Sequence, residues 1–139
     1  MKYKFLEDLT SDVLFEAYGK TFEELLENVA LAMFSVICDI NQVKPLKSIK
    51  IEITSQDERT LLYDWLNELL LQSEIKGMFL SKFKVQKVEH LKGLHLLAIV
   101  FGEDISPDKG RTVVKGVPYY GFELKRAKSG YKAKVALDI

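Results

Sequence analysis

The sequence predicts an α+β fold: a mostly antiparallel β-sheet with two helices packed on one face. Three observations carry this. Two long stretches repeat apolar residues at helical spacing behind capping signals. The remaining apolar segments alternate with polar residues at the period of a strand. After residue 77, the tight links Leu91-Lys92-Gly93 and Lys128-Ser129-Gly130 imply antiparallel neighbours.

Residues 2–7 alternate weakly and suit an edge strand, and residues 12–18, DVLFEAY, form a second strand. Val13, Phe15 and Ala17 would point one way, and Leu14, Glu16 and Tyr18 the other. Thr21-Phe22-Glu23-Glu24 is a capping box. The helix behind it carries Phe22, Leu25, Leu26, Val29, Met33, Val36 and Ile37 on one face, and Ala30, Leu31 and Ala32 widen it. Asp39, Asn41 and Pro45 then mark a loop. Residues 47–54 alternate cleanly, with Ile49, Ile51 and Ile53 on one side.

The second helix, residues 57–76, carries Leu61, Leu62, Trp65, Leu66, Leu69, Leu70 and Ile75 in steps of one, three and four. Ser55 and Glu58 have capping-box spacing, and Gly77 follows the helix as a stop. Residues 80–89 alternate around Phe83 and Val85, and Leu91-Lys92-Gly93 suits a hairpin turn. Residues 94–101, LHLLAIVF, are so apolar that they suit a strand covered on both faces or the middle of the sheet. Residues 102–111 form a polar loop. Residues 112–126 read as a long strand interrupted at Pro118, and residues 131–137 as the last strand. The expected order is β-β-α-β-α-β-β-β-β, within one domain spanning residues 1–139.

Composition narrows the function classes. Lys and Arg number 20, matching 20 Asp and Glu, so the formal net charge is zero. The charge is uneven, however: residues 1–76 have a balance of −6 and residues 77–139 a balance of +6. The basic half would suit RNA or an acidic protein surface. It also suits the solvated side of alternating strands, and no RNP-like aromatic motif or GXXG loop adds to the RNA case. There is no apolar run of about 18 residues for a membrane span, and the acidic start does not resemble a signal peptide. A cytoplasmic protein is expected. Cys38, the only cysteine, ends an apolar helical stripe and is expected to be buried. His95 has no second ligand at metal spacing and is expected to be a hydrogen-bonded core or edge histidine. The sequence contains no P-loop, no G-x-G-x-x-G and no nucleophile–histidine pattern, so an enzyme is not expected.

A carboxylate pair is the main chemical feature. Asp12 opens an early strand and Asp138 closes the last one. If those strands lie side by side and antiparallel, both carboxylates fall at one end of the sheet, near the terminal carboxylate of Ile139. Three such anions would suit a hard divalent cation, and without one they would repel each other.

Six stretches, in order, resemble the archease family. They are YKFLEDLTSD (3–12), AYGKTFEELLENVALAMFSVI (17–37), LLYDWLNELL (61–70), GEDISPDKG (102–110), VKGVPYYG (114–121) and ALDI (136–139). The resemblance implies a sandwich of sheet and helices and a small cytoplasmic accessory protein. That protein acts with an RtcB-type RNA-splicing ligase, which joins a 2′,3′-cyclic phosphate end to a 5′-hydroxyl end. The accessory protein is not the ligase; it promotes ligase guanylylation and multiple turnover. Some family members are described instead as modulators or chaperones of a tRNA methyltransferase, so tRNA or such an enzyme is a further partner implied by the resemblance. The resemblance also implies a calcium-type metal site at Asp12, Asp138 and Ile139, and a functional lysine at Lys115. Two positions depart from the family pattern: Leu9 and Tyr120 stand where histidines are usual.

Overall fold

The computed structural model describes residues 1–6 and 12–139. The chain runs β1 (Tyr3–Phe5), β2 (Asp12–Gly19), α1 (Phe22–Ile37), β3 (Lys47–Ser55), α2 (Glu58–Lys76), β4 (Met78–His90) and β5 (Leu94–Asp104). A 3₁₀ turn (Pro107–Lys109), β6 (Glu123–Ala127) and β7 (Gly130–Asp138) follow. This is the expected order, and the class is α+β with antiparallel pairing throughout.

The expectation of a single sheet is corrected. The strands divide into a four-stranded sheet, β1-β2-β7-β6, and a three-stranded sheet, β3-β5-β4. The helices therefore do not share one face of one sheet. Helix α2 packs on β3, β4 and β5, whereas α1 touches β2 and β7 of one sheet and β4 of the other. Contact with both sheets explains why α1 buries so much of its circumference, including Leu25, Leu26, Val29, Ala30, Ala32, Met33 and Phe34. One apolar cluster joins both helices to both sheets. Trp65 ties the helices together through its indole N–H, which donates to the Leu26 carbonyl at 2.8 Å.

Local signals hold with three exceptions, the first being that β5 runs on to Asp104, three residues into the expected polar loop 102–111, where it pairs with Met78, Phe79 and Leu80. Thr21 caps α1 as expected, its hydroxyl accepting from the Glu24 N–H at 3.1 Å. Gly77 ends α2 in the left-handed conformation, φ 62°, where a glycine has no Cβ penalty. Helix α2, however, is capped by Asp57, whose carboxylate accepts from the Thr60 N–H at 2.8 Å. Ser55 still belongs to β3, and its hydroxyl donates to Asp64 at 2.7 Å. The third exception is the strand expected over residues 112–126. Only Glu123–Ala127 is strand, and residues 112–122 are irregular apart from an isolated bridge at Gly116.

β5 is the middle strand of the three-stranded sheet, as its apolar run suggested. Leu94, Leu96, Ala98 and Val100 face the core, while the alternate residues are half-covered. β4 is bulged between Val85 and Lys87, and the Val85 N–H donates to Glu27 of α1 at 2.9 Å. Cys38 is fully buried, and its thiol donates to the Phe34 carbonyl at 3.2 Å. His95 lies between Thr54 and Leu91: Nε2–H donates to the Leu91 carbonyl at 2.7 Å, and Nδ1 accepts from the Thr54 hydroxyl at 3.0 Å. It is the hydrogen-bonded histidine the sequence predicts. Among the described residues, no helix is long and apolar enough to cross a membrane.

Candidate functional site

The four-stranded sheet brings the two ends of the chain together. β2 and β7 are its central pair, in register from Asp12↔Asp138 to Gly19↔Tyr131. Core packing sets that register: Phe15 and Ala17 of β2, with Ala133, Val135 and Leu137 of β7, are fully buried on the inner face. A slip of one residue would turn all of them outward. Strand alternation then puts Asp12, Leu14, Glu16 and Tyr18 on the outer face, beside Asp138, Ala136, Lys134 and Lys132. The two aspartates are thus direct cross-strand partners on one face, the arrangement in which like charges destabilise a sheet.

The irregular segment before β6 wraps this end. The Lys115 N–H donates to the Asp138 carbonyl at 2.7 Å, and the Asp138 N–H donates to the Gly116 carbonyl at 3.0 Å. The segment therefore pairs with β7 beyond Lys134, where the β6 pairing stops. Farther along, the Tyr120 hydroxyl donates to Asp12 Oδ2 at 2.6 Å. Asp12 is left 7% exposed. The hydrogen bond to Asp12, then burial, then the charges of Asp12 and Asp138 raise the Tyr120 pKa above the usual phenol value. Tyr120 is therefore a neutral donor at physiological pH.

The backbone of Tyr120 is held by an aromatic cluster. Tyr63 of α2 meets Tyr119 edge-on at 4.9 Å and Phe122 at 5.6 Å between ring centroids. The Arg59 guanidinium lies 5.1 Å from the Tyr119 centroid and donates to the Phe122 carbonyl at 3.0 Å. Neither this cluster nor the bond from Tyr120 to Asp12 was inferred from the sequence. The run PYYGF was the available signal, but its aromatics have no period that names a partner.

The structure brings Asp12 and Asp138 together and places the Lys115 backbone beside them. The Lys115 side chain is exposed and makes no ion pair within 4.0 Å among the described residues. Leu9 lies outside the described residues. Ile139, half-buried, follows Asp138 directly. The donor chemistry of the described side chains, two carboxylates facing each other across β2 and β7, is of the kind a hard cation takes. No group of three or more His, Cys, Asp or Glu side chains able to hold a metal occurs among the described residues. A cation here would need further oxygen donors, water among them, to complete its shell.

The lysines of the basic half do not form one patch. Across the outer face of the four-stranded sheet, Lys4, Glu16, Lys134 and Glu123 are successive cross-strand partners, so the charges alternate. Lys132 pairs with Glu16 at 3.0 Å. Lys82, Lys84 and Lys87 lie on β4 of the other sheet. An open cleft of about 680 Å³ lies at the start of α2, lined by Arg59, Lys92 and Arg126 but also by Asp57 and Glu58.

Known proteins share this sequence pattern and fold. The sequence profile of the Archease protein family matches residues 3–139. A protein archease from Methanothermobacter thermautotrophicus is 42% identical over 133 residues, covering 95% of each chain. One from Methanosarcina mazei is 40% identical over 141 residues, covering 99% of this chain and 96% of that one. The solution structure of a Methanobacterium thermoautotrophicum protein superposes with a TM-score of 0.87 at 41% identity, covering 99% of this chain and 98% of that one. The crystal structure of an archease and possible chaperone from Thermotoga maritima shares the fold, with a TM-score of 0.65 at 17% identity over 96% and 95% of the two chains. The chain, from its paired strands to its closing Asp-Ile, belongs to the archease family.

Proposed function

We propose that this protein is a cytoplasmic accessory factor, not itself catalytic, for an RNA-splicing ligase of the RtcB type. It promotes ligase guanylylation and multiple turnover in tRNA splicing or RNA repair, and residues 1–139 act as one unit. The observation that carries this reading is the register of Asp12 against Asp138 in a chain of the archease family.

Asp12, Asp138 and the Ile139 carboxylate would hold a hard divalent cation, taken as calcium from the family resemblance, through oxygen donors completed by water. Such a cation would neutralise the facing carboxylates and tie down the chain terminus. Lys115, exposed beside the pair, offers a positive charge to a phosphate or a carboxylate of the partner. The sheet end then presents a rigid, charged surface for docking.

Multiple-turnover ligation of a 2′,3′-cyclic phosphate RNA by the cognate ligase tests the role. Added protein should raise the yield beyond one turnover, and Asp12→Ala or Lys115→Ala should abolish the gain. A rate indifferent to the protein across GTP and manganese concentrations refutes it. The competing reading is a binding module or chaperone for RNA or a tRNA methyltransferase, supported by the lysines on both sheets. Direct RNA binding with a steep salt dependence would favour it.

A further inference from the structure

We propose that Tyr120 is a positioning residue of the acidic pair. Its hydroxyl holds Asp12 Oδ2 and leaves Oδ1 as the oxygen offered to a cation shared with Asp138. This inference rests on the cation site proposed above.

Tyr120 is 62% exposed, so burial does not dictate its rotamer. Its hydroxyl nevertheless reaches a carboxylate 108 residues away in sequence, at 2.6 Å, the length of a charge-assisted O–H···O⁻ bond. The approach is fixed from both sides. Upstream, Lys115 and Gly116 are bonded to the backbone of Asp138. Downstream, Gly121 turns the chain at φ 72°, and Phe122 is clamped by Tyr63 and Arg59. The phenol is thus presented to Asp12 by a braced arm.

The chemistry of the donor matters as much as its place. A lysine or arginine here would neutralise Asp12 and compete with a cation. A phenol satisfies one oxygen and orients the carboxylate but leaves its charge intact. A neutral donor on the outer oxygen of a ligating carboxylate is the usual way in which metal ligands are aimed, and losing such a donor typically costs about 10–100-fold in affinity.

Terbium, a luminescent stand-in for calcium excited through nearby tyrosines, tests this in the full-length protein. Calcium competition gives the affinity, and Asp12→Asn serves as the site control. Wild type should bind with tyrosine-sensitised emission that calcium displaces. Tyr120→Phe should bind about 10–100-fold more weakly. Its sensitised emission per bound ion should fall, while its metal-free circular dichroism stays as in wild type and its melting drops by only the few degrees that the lost bond accounts for. Equal affinity and equal emission in Tyr120→Phe would overturn the role of Tyr120 and leave the cation site standing. No binding by wild type, or undiminished binding by Asp12→Asn, would overturn both.

Discussion

Replacing Asp138 by asparagine removes one of two facing charges while keeping side-chain size and the backbone bonds to Lys115 and Gly116. Directly opposed residues of an antiparallel pair hold their Cβ atoms about 4.5–5.5 Å apart. At about 5 Å, two unit charges repel by about 0.8 kcal/mol in water and about 3 kcal/mol at an effective dielectric constant of about 20. Asp12 is buried but Asp138 is exposed, which puts the repulsion near the lower figure, about 1 kcal/mol. In chelator, Asp138→Asn should therefore melt about 3 °C above wild type. The gain should shrink toward 1 M salt, where the screening length falls to about 3 Å. Calcium should invert the order. At 100 times its dissociation constant it stabilises wild type by about 2.7 kcal/mol, or about 8 °C, and does little for the variant. Thermal melts in chelator and in calcium read both effects. A variant that melts below wild type in chelator, or gains as much from calcium, would refute the reasoning.

Other predictions test the frame around the site. A Cβ at Gly102 would lie 1.8 Å from the Phe79 carbonyl oxygen, so Gly102→Ala must separate β4 from β5; urea unfolding should show a loss of about 3 kcal/mol or more. Glu16 is held below the usual carboxylate range chiefly by its hydrogen bond from Lys132, helped by Tyr18 and Lys4 and opposed by burial. A folded-state pKa below the unfolded value, about 4.3 for glutamate, adds stability above that pH and loses it as pH falls through the folded value. Glu16→Gln should therefore make the acid limb of the melting-temperature curve shallower, and an unchanged limb would count against the bond. Burial pushes the Cys38 thiol up to about 11, with Arg111 lowering it and Asp39 raising it. Alkylation at pH 8 should then follow unfolding, rising with denaturant; reaction of the native protein at the rate of a free thiol would contradict the packing.

The site was partly legible in the sequence because two of its residues sit at strand ends. Alternation located β2 and β7, and Asp12 and Asp138 fell at their outer ends once antiparallel pairing was assumed. The identity of the neighbours was not legible. Tyr120 reaches Asp12 only because residues 112–122 leave strand geometry and cross the end of the sheet. An interrupted, aromatic-rich stretch reads locally as a broken strand. Similarly, Ser55 and Asp57 compete to cap α2, and the outcome depends on where β3 stops, which its pairing with Leu94 decides.

The amino-acid order by itself determined seven strands, two helices and their sequence, because apolar period and capping chemistry act within a few residues. It also placed an aspartate at the start of one candidate strand and another at the end of the last, so that antiparallel pairing would bring both to one end of the sheet. Tertiary structure alone decided that the strands divide into two sheets, with α1 in contact with both. It also decided that Asp12 stands opposite Asp138 rather than one residue off, and that the Tyr120 hydroxyl reaches Asp12. The physical reason is range. A pattern states which face of an element must leave water, while the choice of partner and register is settled by whichever distant surfaces bury those faces together.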